Sequence, residues 1–317
     1  MKRFRDFLKD RSGATALTFA LMLVPIMGMT GLAVDYSVAT NERATLQDAA
    51  DAAALAGASV FTGANKQAAE DRARAYLKAN LGMAKYGAVT VNFSAANQRI
   101  TVSLAGQTQT TFMRILNQDT MAVGVNAQAL APLKPSSATI KVDNIYGHWF
   151  KRVTVVAVKN GVETTVGTVV YQPTDHSFES GRGTGTTVPT KDQMTTITLS
   201  DYDSVYLKMQ VKEDGCDIGY RNPDASKTIV KCVVDAKKTS YNRTYTTNNK
   251  DTVHYLFVDG KQLPPQSTPP LTDIFSCDGG THKHAWEDGG GWAKQDVFYT
   301  VTSACKSVDG ELVRLTH

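Results

Sequence analysis

The sequence lacks charge where most chains scatter it: after Arg11, no Asp, Glu, Lys or Arg occurs until Asp35. A soluble helix rarely avoids charge for so long, so the gap points to a segment that crosses a bilayer. Net charge is also slight, 34 basic against 30 acidic residues for +4, which excludes the dense Lys/Arg stripe that neutralises nucleic-acid phosphates. Nucleic acid is not an expected partner. Cysteine is scarce and confined to the last third, at Cys216, Cys232, Cys277 and Cys305, with no C-x-x-C pair of the zinc-ribbon or redox type. No G-x-S-x-G, H-E-x-x-H or EF-hand string occurs. Accordingly no catalytic residue, cofactor or metal site is assigned, and the chain is expected not to be an enzyme.

Within the charge gap, Ser12 to Val34 is rich in Leu, Met, Val, Ile and Ala. At 1.5 Å per residue it reaches about 34 Å, against a hydrocarbon core of about 30 Å. Lys2, Arg3, Arg5, Lys9 and Arg11 precede it, and only Arg43 follows within the next 17 residues, so residues 1–11 are expected in the cytoplasm and the rest outside. Ser37-Val38-Ala39 ends in small residues as a signal-peptide cleavage site does, but the apolar run exceeds the usual signal core and continues at once into an alanine-rich helical pattern. A retained signal anchor fits better. In that pattern Leu46, Ala50, Ala53 and Gly57 fall on one narrow face, with Asp48 and Asp51 roughly opposite. Such a small-residue seam suits close helix packing, against this chain's own domain or against a docked partner.

The run from Arg11 to Ala58 resembles the N-terminal module of TadE/TadG-like proteins of the Flp (Tad) pilus-assembly system, and is most similar to the TadG-like branch. Gly13, the "FAL…P" core with Phe19 and Pro25, the "GLAVDY" exit with Gly31 and Asp35, and "LQDAADAAALAGA" with Gln47, Asp51 and Gly57 carry the resemblance. It implies a single-pass protein of the bacterial inner membrane, with its C-terminus in the periplasm. Membrane lipid, other pilus-assembly membrane proteins or pilus subunits are the implied partners, and the small-residue helix faces suit an oligomer. Related pseudopilins carry Glu at the fifth position beyond the processed Gly. Thr18 stands there in this chain, which favours a permanent anchor over an extracted subunit. The string nearest to a von Willebrand A metal motif, Asp35 to Ala39, lacks its second Ser, so no such domain is assigned.

Beyond the exit, residues 35–131 read as a small α+β module. Lys66 to Leu81 is its second helix, with Gly82 as C-cap, and a hairpin, a short helix near 111–116 and a strand near 121–130 follow. Pro132, Pro135, Ser136 and Ser137 predict a linker over 132–137. Residues 138–317 then alternate short runs rich in Val, Thr, Tyr and Ile with Gly, Asn, Asp or Pro, the pattern of an antiparallel β sandwich or barrel. Asn160-Gly161 is its clearest hairpin turn.

In an oxidising compartment Cys216 is expected to pair with Cys232 and Cys277 with Cys305, one of three possible connectivities. "CDGGTHKHAWEDGGGW" gathers Asp278, His282, His284, Glu287 and Asp288, a ligand-capable set that reads more simply as a glycine-rich surface loop. "GRGTGT" from Gly181 lacks the strand-to-helix setting of a dinucleotide site and reads as a loop. The alternative reading of the β domain is an anchored binder of envelope polysaccharide, with Trp149, Trp286 and Trp292 as stacking groups.

Overall fold

The computed structural model describes residues 12–96, 98–175, 182–224, 229–290, 295–308 and 310–316. The basic flank 1–11, Gly181 and Trp292 lie outside the described residues. Two compact units emerge. Among the described residues, unit 1 holds those within 12–61, 66–131 and 313–316, and unit 2 those within 62–65 and 132–312.

In unit 1 the apolar segment and the alanine-rich segment form one continuous helix, α1 (Ser12–Val60), of 49 residues. Pro25 sits inside it without ending it. The most apolar window of α1 has a mean hydropathy of 2.0 and is only 6% buried, unlike a helix in a soluble core: apart from Asp35, the side chains from Leu17 to Val38 are exposed. From Leu46 onward the same helix is buried on one face, where Leu46, Ala49, Ala50, Ala53 and Ala54 pack inward. Helix α2 (Lys66–Gly87) buries Ala69, Ala73, Leu77 and Leu81 at helical spacing. Gly82, at φ 71° and ψ 161°, breaks its first segment as a C-cap would, but another turn follows to Gly87.

Strands β1 (Thr90–Ala96), β2 (Arg99–Gln109) and β3 (Thr120–Leu130) form an antiparallel sheet under the helices. Ile100, Val102 and Leu104 alternate inward from β2, and Val123, Val125, Ala127 and Ala129 from β3. A 3-10 turn, Met113–Leu116, caps the β2–β3 connection.

In unit 2, strands β4 (Leu133–Ile145), β5 (Phe150–Lys159), β6 (Val162–Pro173), β7 (Gly185–Val188), β8 (Met194–Thr198) and β9 (Ser204–Lys212) come first. A two-residue ribbon follows, β10 (Tyr220–Arg221) with β11 (Val233–Val234), and then β12 (Arg243–Thr246), β13 (Leu256–Val258) and β14 (Lys261–Gln262). The short helix α3 (Leu271–Ile274) leads to β15 (Thr281–Trp286) and β16 (Val297–Ser307). They build a five-stranded sheet, β12-β9-β5-β6-β7, and a six-stranded sheet, β14-β13-β15-β16-β4-β8. One apolar core takes side chains from both, including Val153, Val155, Leu207 and Met209 from the first and Ile140, Val142, Tyr299 and Val301 from the second. The choice between sandwich and barrel thus falls to the sandwich. Asn160 and Gly161 both have positive φ, the turn that the β5–β6 hairpin requires.

Four expectations are corrected. The stretch 132–137 is no linker: β4 begins at Leu133 and pairs with β16 through Pro135 and Ser137, because β16 offers a long partner that overrides the local Pro/Ser signal. The β domain does not run to residue 317, since β17 (Arg314–Leu315) pairs with β3 in unit 1. Residues 229–236, among the short strand-like runs expected over 138–317, are not one full strand; Ile229 makes an isolated bridge and Val233–Val234 a ribbon, with Ile229 and Val234 exposed. "THKHAW" is no surface loop but β15, paired on both sides, burying His284 and Trp286.

Candidate functional site

The residues that carry the family resemblance meet the rest of unit 1 at three places along α1. The first lies where the apolar face ends. Asp35 is only 3% exposed, and its carboxylate accepts the backbone N–H groups of Thr111 (2.8 Å), Phe112 (3.0 Å) and Met113 (2.7 Å). These are the open amides at the start of the 3-10 turn, which an anionic oxygen caps well. Burial pushes the Asp35 pKa up, but the bonds from Met113, Thr111 and Phe112 outweigh it and hold the group below the usual carboxylate range. The bonds stabilise the charged form above that range and are lost only as pH falls through the depressed value. One turn earlier, Gly31 lets the turn approach: a Cβ there would stand 2.5 Å from Phe112 Cβ.

Further along, Gln47 Nε2 donates to Asp51 Oδ1 (2.8 Å) and to the Asn126 carbonyl of β3 (3.2 Å). Lys85 pairs with Glu42 at 2.8 Å, joining α2 to α1. Gly57 completes the set, since an added Cβ would lie 3.1 Å from the Ala69 carbonyl oxygen and 3.2 Å from Ile100 Cγ2. Gly57→Val is therefore expected to overpack the helix–sheet contact and cost about 1–3 kcal/mol, read as a lower urea midpoint. The small-residue seam is taken up by this packing, the first of its two readings: Leu46, Ala50 and Ala53 are fully buried within unit 1. In the membrane segment, by contrast, a Cβ added at Gly28 would meet nothing within 4 Å.

Unit 2 carries both disulfides, Cys216–Cys232 and Cys277–Cys305. Asp214 ties the first to the sheet by accepting from the Cys216 amide (3.1 Å) and from the buried Lys212 ammonium (2.6 Å). The ligand-capable set read from the sequence is split among three environments. His282 bridges Asp259 (2.7 Å) and Asp278 (2.9 Å), which raise its pKa beyond what burial takes away. His284 is fully buried, its ring within 2.9 Å of the Ile274 carbonyl oxygen, and burial pushes its pKa down to about 4. Glu287 and Asp288 instead join Asp296, which lies on β16's lead-in and which no short spacing linked to them. The buried Lys151 ammonium faces this trio, pairing with Asp288 at 3.0 Å.

Burial first, then the Asp288 charge, raises the Asp296 pKa to about 7 despite the pull of Lys151. The folded state then binds more protons than the unfolded one between the ordinary carboxylate range and about pH 7, so this group's contribution is lost as pH rises through that window. Urea midpoints at pH 5 and pH 8 are expected to show the loss, and Asp296→Asn to lessen it.

Of the aromatic groups proposed for glycan stacking, the two among the described residues, Trp149 and Trp286, have partners within the unit. Trp286 is buried in the core and donates its Nε1–H to the Tyr299 hydroxyl (3.0 Å), while Trp149 lies under the Arg243 guanidinium at 4.7 Å. A core void of about 20 Å³, lined by Ile140, Val153, Gly167, Ile197 and Tyr299, has room for a single water rather than a ligand.

Residues 13–60 match a family model described as putative Flp pilus-assembly TadE/G-like. The matched segment is almost the whole of α1, both its outward apolar part and its packed alanine-rich part. The match covers this helix alone, so over residues 13–60 the chain is similar to the TadE/G-like proteins of Flp pilus assembly. No curated protein and no solved structure matches the chain.

Proposed function

We propose, from the TadE/G-like helix as premise, that the chain is a non-enzymatic component of the Flp pilus-assembly or secretion machinery, anchored in the bacterial inner membrane. Ser12 to Val34 spans the bilayer with the N-terminus in the cytoplasm, and both folded units stand in the periplasm, where the sandwich makes protein contacts. The observation that carries this reading is the division of labour along α1: its family-matched length is exposed and apolar at first, then engaged with a folded unit from Asp35 onward. Asp35 and the buried Ala39 also argue for retention, because cleavage after Ala39 would remove the carboxylate that holds residues 111–113. The two disulfides suit an oxidising compartment.

Affinity purification of the tagged full chain from detergent-solubilised membranes tests the assembly role. Other pilus-assembly membrane proteins are expected to co-purify, and recovery of envelope glycans alone would overturn it. For topology, a C-terminal alkaline phosphatase fusion is expected to be active, and an inactive fusion would reverse the orientation.

A further inference from the structure

The connection 110–119 of unit 1 is a closed finger whose turn, Phe112 to Leu116, is apolar except for Arg114. Its neck is shut by the Thr110 amide donating to the Asp119 carbonyl (3.0 Å), and Asn117, at φ 59°, turns the chain back so that the Gln118 amide reaches Met113 O (3.1 Å). At its tip Phe112 is exposed and Ile115 is 81% exposed, a poor arrangement for a tip bathed in water. The one cation of the tip, Arg114, pairs with Asp119 at 3.2 Å.

The position of this finger along α1 is fixed by Asp35 and Gly31. Phe112 packs at Gly31, inside the last turn of the apolar span, and its amide is held by Asp35. Asp35 is thereby withdrawn from the helix surface, so the outward face stays uncharged past Leu32, Val34, Tyr36 and Val38 until Glu42 and Arg43. From Gly31 to Glu42 is about 16 Å of helix, so the finger sits well to the membrane side of the first charged collar on α1. Ser12 to Asn41 is about 45 Å long, the thickness of a bilayer with its headgroups.

We propose that residues 110–119 are a second membrane contact, a lipid-facing foot whose Phe112 and Ile115 enter the acyl–headgroup boundary of the leaflet that α1 leaves. It rests on the reading of Ser12 to Val34 as a membrane span. Continuity with the apolar helix surface and the exposed Phe112 and Ile115 select lipid as the occupant, with the exposed Arg114–Asp119 pair placed at headgroup level as interfacial charges are. Two contacts on one rigid unit fix the rotation and tilt of the helix, which a single span leaves free.

Among the described residues every cysteine is disulfide-bonded, so one added cysteine is a unique labelling site. Full chains carrying Ile115→Cys, Met27→Cys or Val162→Cys, labelled with an environment-sensitive fluorophore, are reconstituted into phosphatidylethanolamine/phosphatidylglycerol vesicles. All three positions are exposed, so the substitutions leave packing intact. The label at 115 is expected to emit blue-shifted, to be quenched by nitroxide-bearing lipid and to be shielded from aqueous iodide, as at 27, while the label at 162 behaves as in water. A wet label at 115 beside a lipid-quenched label at 27 overturns the foot and leaves the span standing. A label at 115 shielded from iodide but untouched by lipid nitroxide overturns it in favour of a second copy of the chain. A wet label at 27 overturns the span and the foot with it.

Discussion

Removal of both disulfides is expected to unfold the sandwich while leaving the helical unit folded. The bridges close segments separated by 16 and 28 residues, and loop closure of that size contributes about 3–4 kcal/mol each. Their joint loss, about 6–7 kcal/mol, rivals the 5–15 kcal/mol by which whole domains are stable. Cys277–Cys305 constrains the longer segment and joins the approach to β15 with the end of β16, so Cys277→Ala/Cys305→Ala should lower the urea midpoint more than the other pair of substitutions. Unit 1 contains neither bridge. Its helices α1 and α2 should therefore keep their far-ultraviolet signal in reductant while the near-ultraviolet signal of Trp286 collapses. An unchanged midpoint on reduction would show that the bridges do not hold the sandwich.

Lys151→Met is expected to be the most damaging single substitution in unit 2. The ammonium is 1% exposed and donates to the Tyr146 carbonyl (2.7 Å), pairs with Asp288 and lies 5.4 Å from the Tyr171 ring centroid. Methionine fills much of the same space, so the cost lies in charge rather than in volume. Removing one partner of a buried pair leaves the other uncompensated, at about 3–5 kcal/mol, and three carboxylates meet here. Two consequences separate this from a packing defect. The loss should be smaller at pH 5, where Asp296 is protonated, than at pH 8, and Lys151→Met with Asp288→Leu should recover stability relative to Lys151→Met alone. A pH-independent loss, unrelieved by the second substitution, would contradict the electrostatic account.

Both effects concern groups that lie far apart in the chain, and the same division separates what was legible in the sequence from what was not. The uncharged run to Asp35, the helical spacing of Leu46, Ala50, Ala53 and Gly57, the Asn160-Gly161 turn and the alternation along β2 and β3 are local patterns, and the chain obeys them. β15 escaped because His282, Lys283 and His284 count as polar, although His284 and Trp286 alternate inward as strand residues do. The Pro/Ser cluster after Pro132 was a true turn signal locally, and pairing with β16 overrode it.

By itself the sequence determined a membrane-length apolar helix running into a small-residue seam, a β-rich remainder and four cysteines. Only the tertiary structure decided that the seam is spent on unit 1's own packing, that Asp35 is a clasp rather than a hydrated exit charge, and that Glu287, Asp288 and Asp296 gather around Lys151. The reason is range. Periodicity and charge gaps are set by a few neighbouring residues, whereas the partner of a buried charge depends on which distant backbone the fold brings beside it, 76 positions away from Asp35 in the case of Thr111.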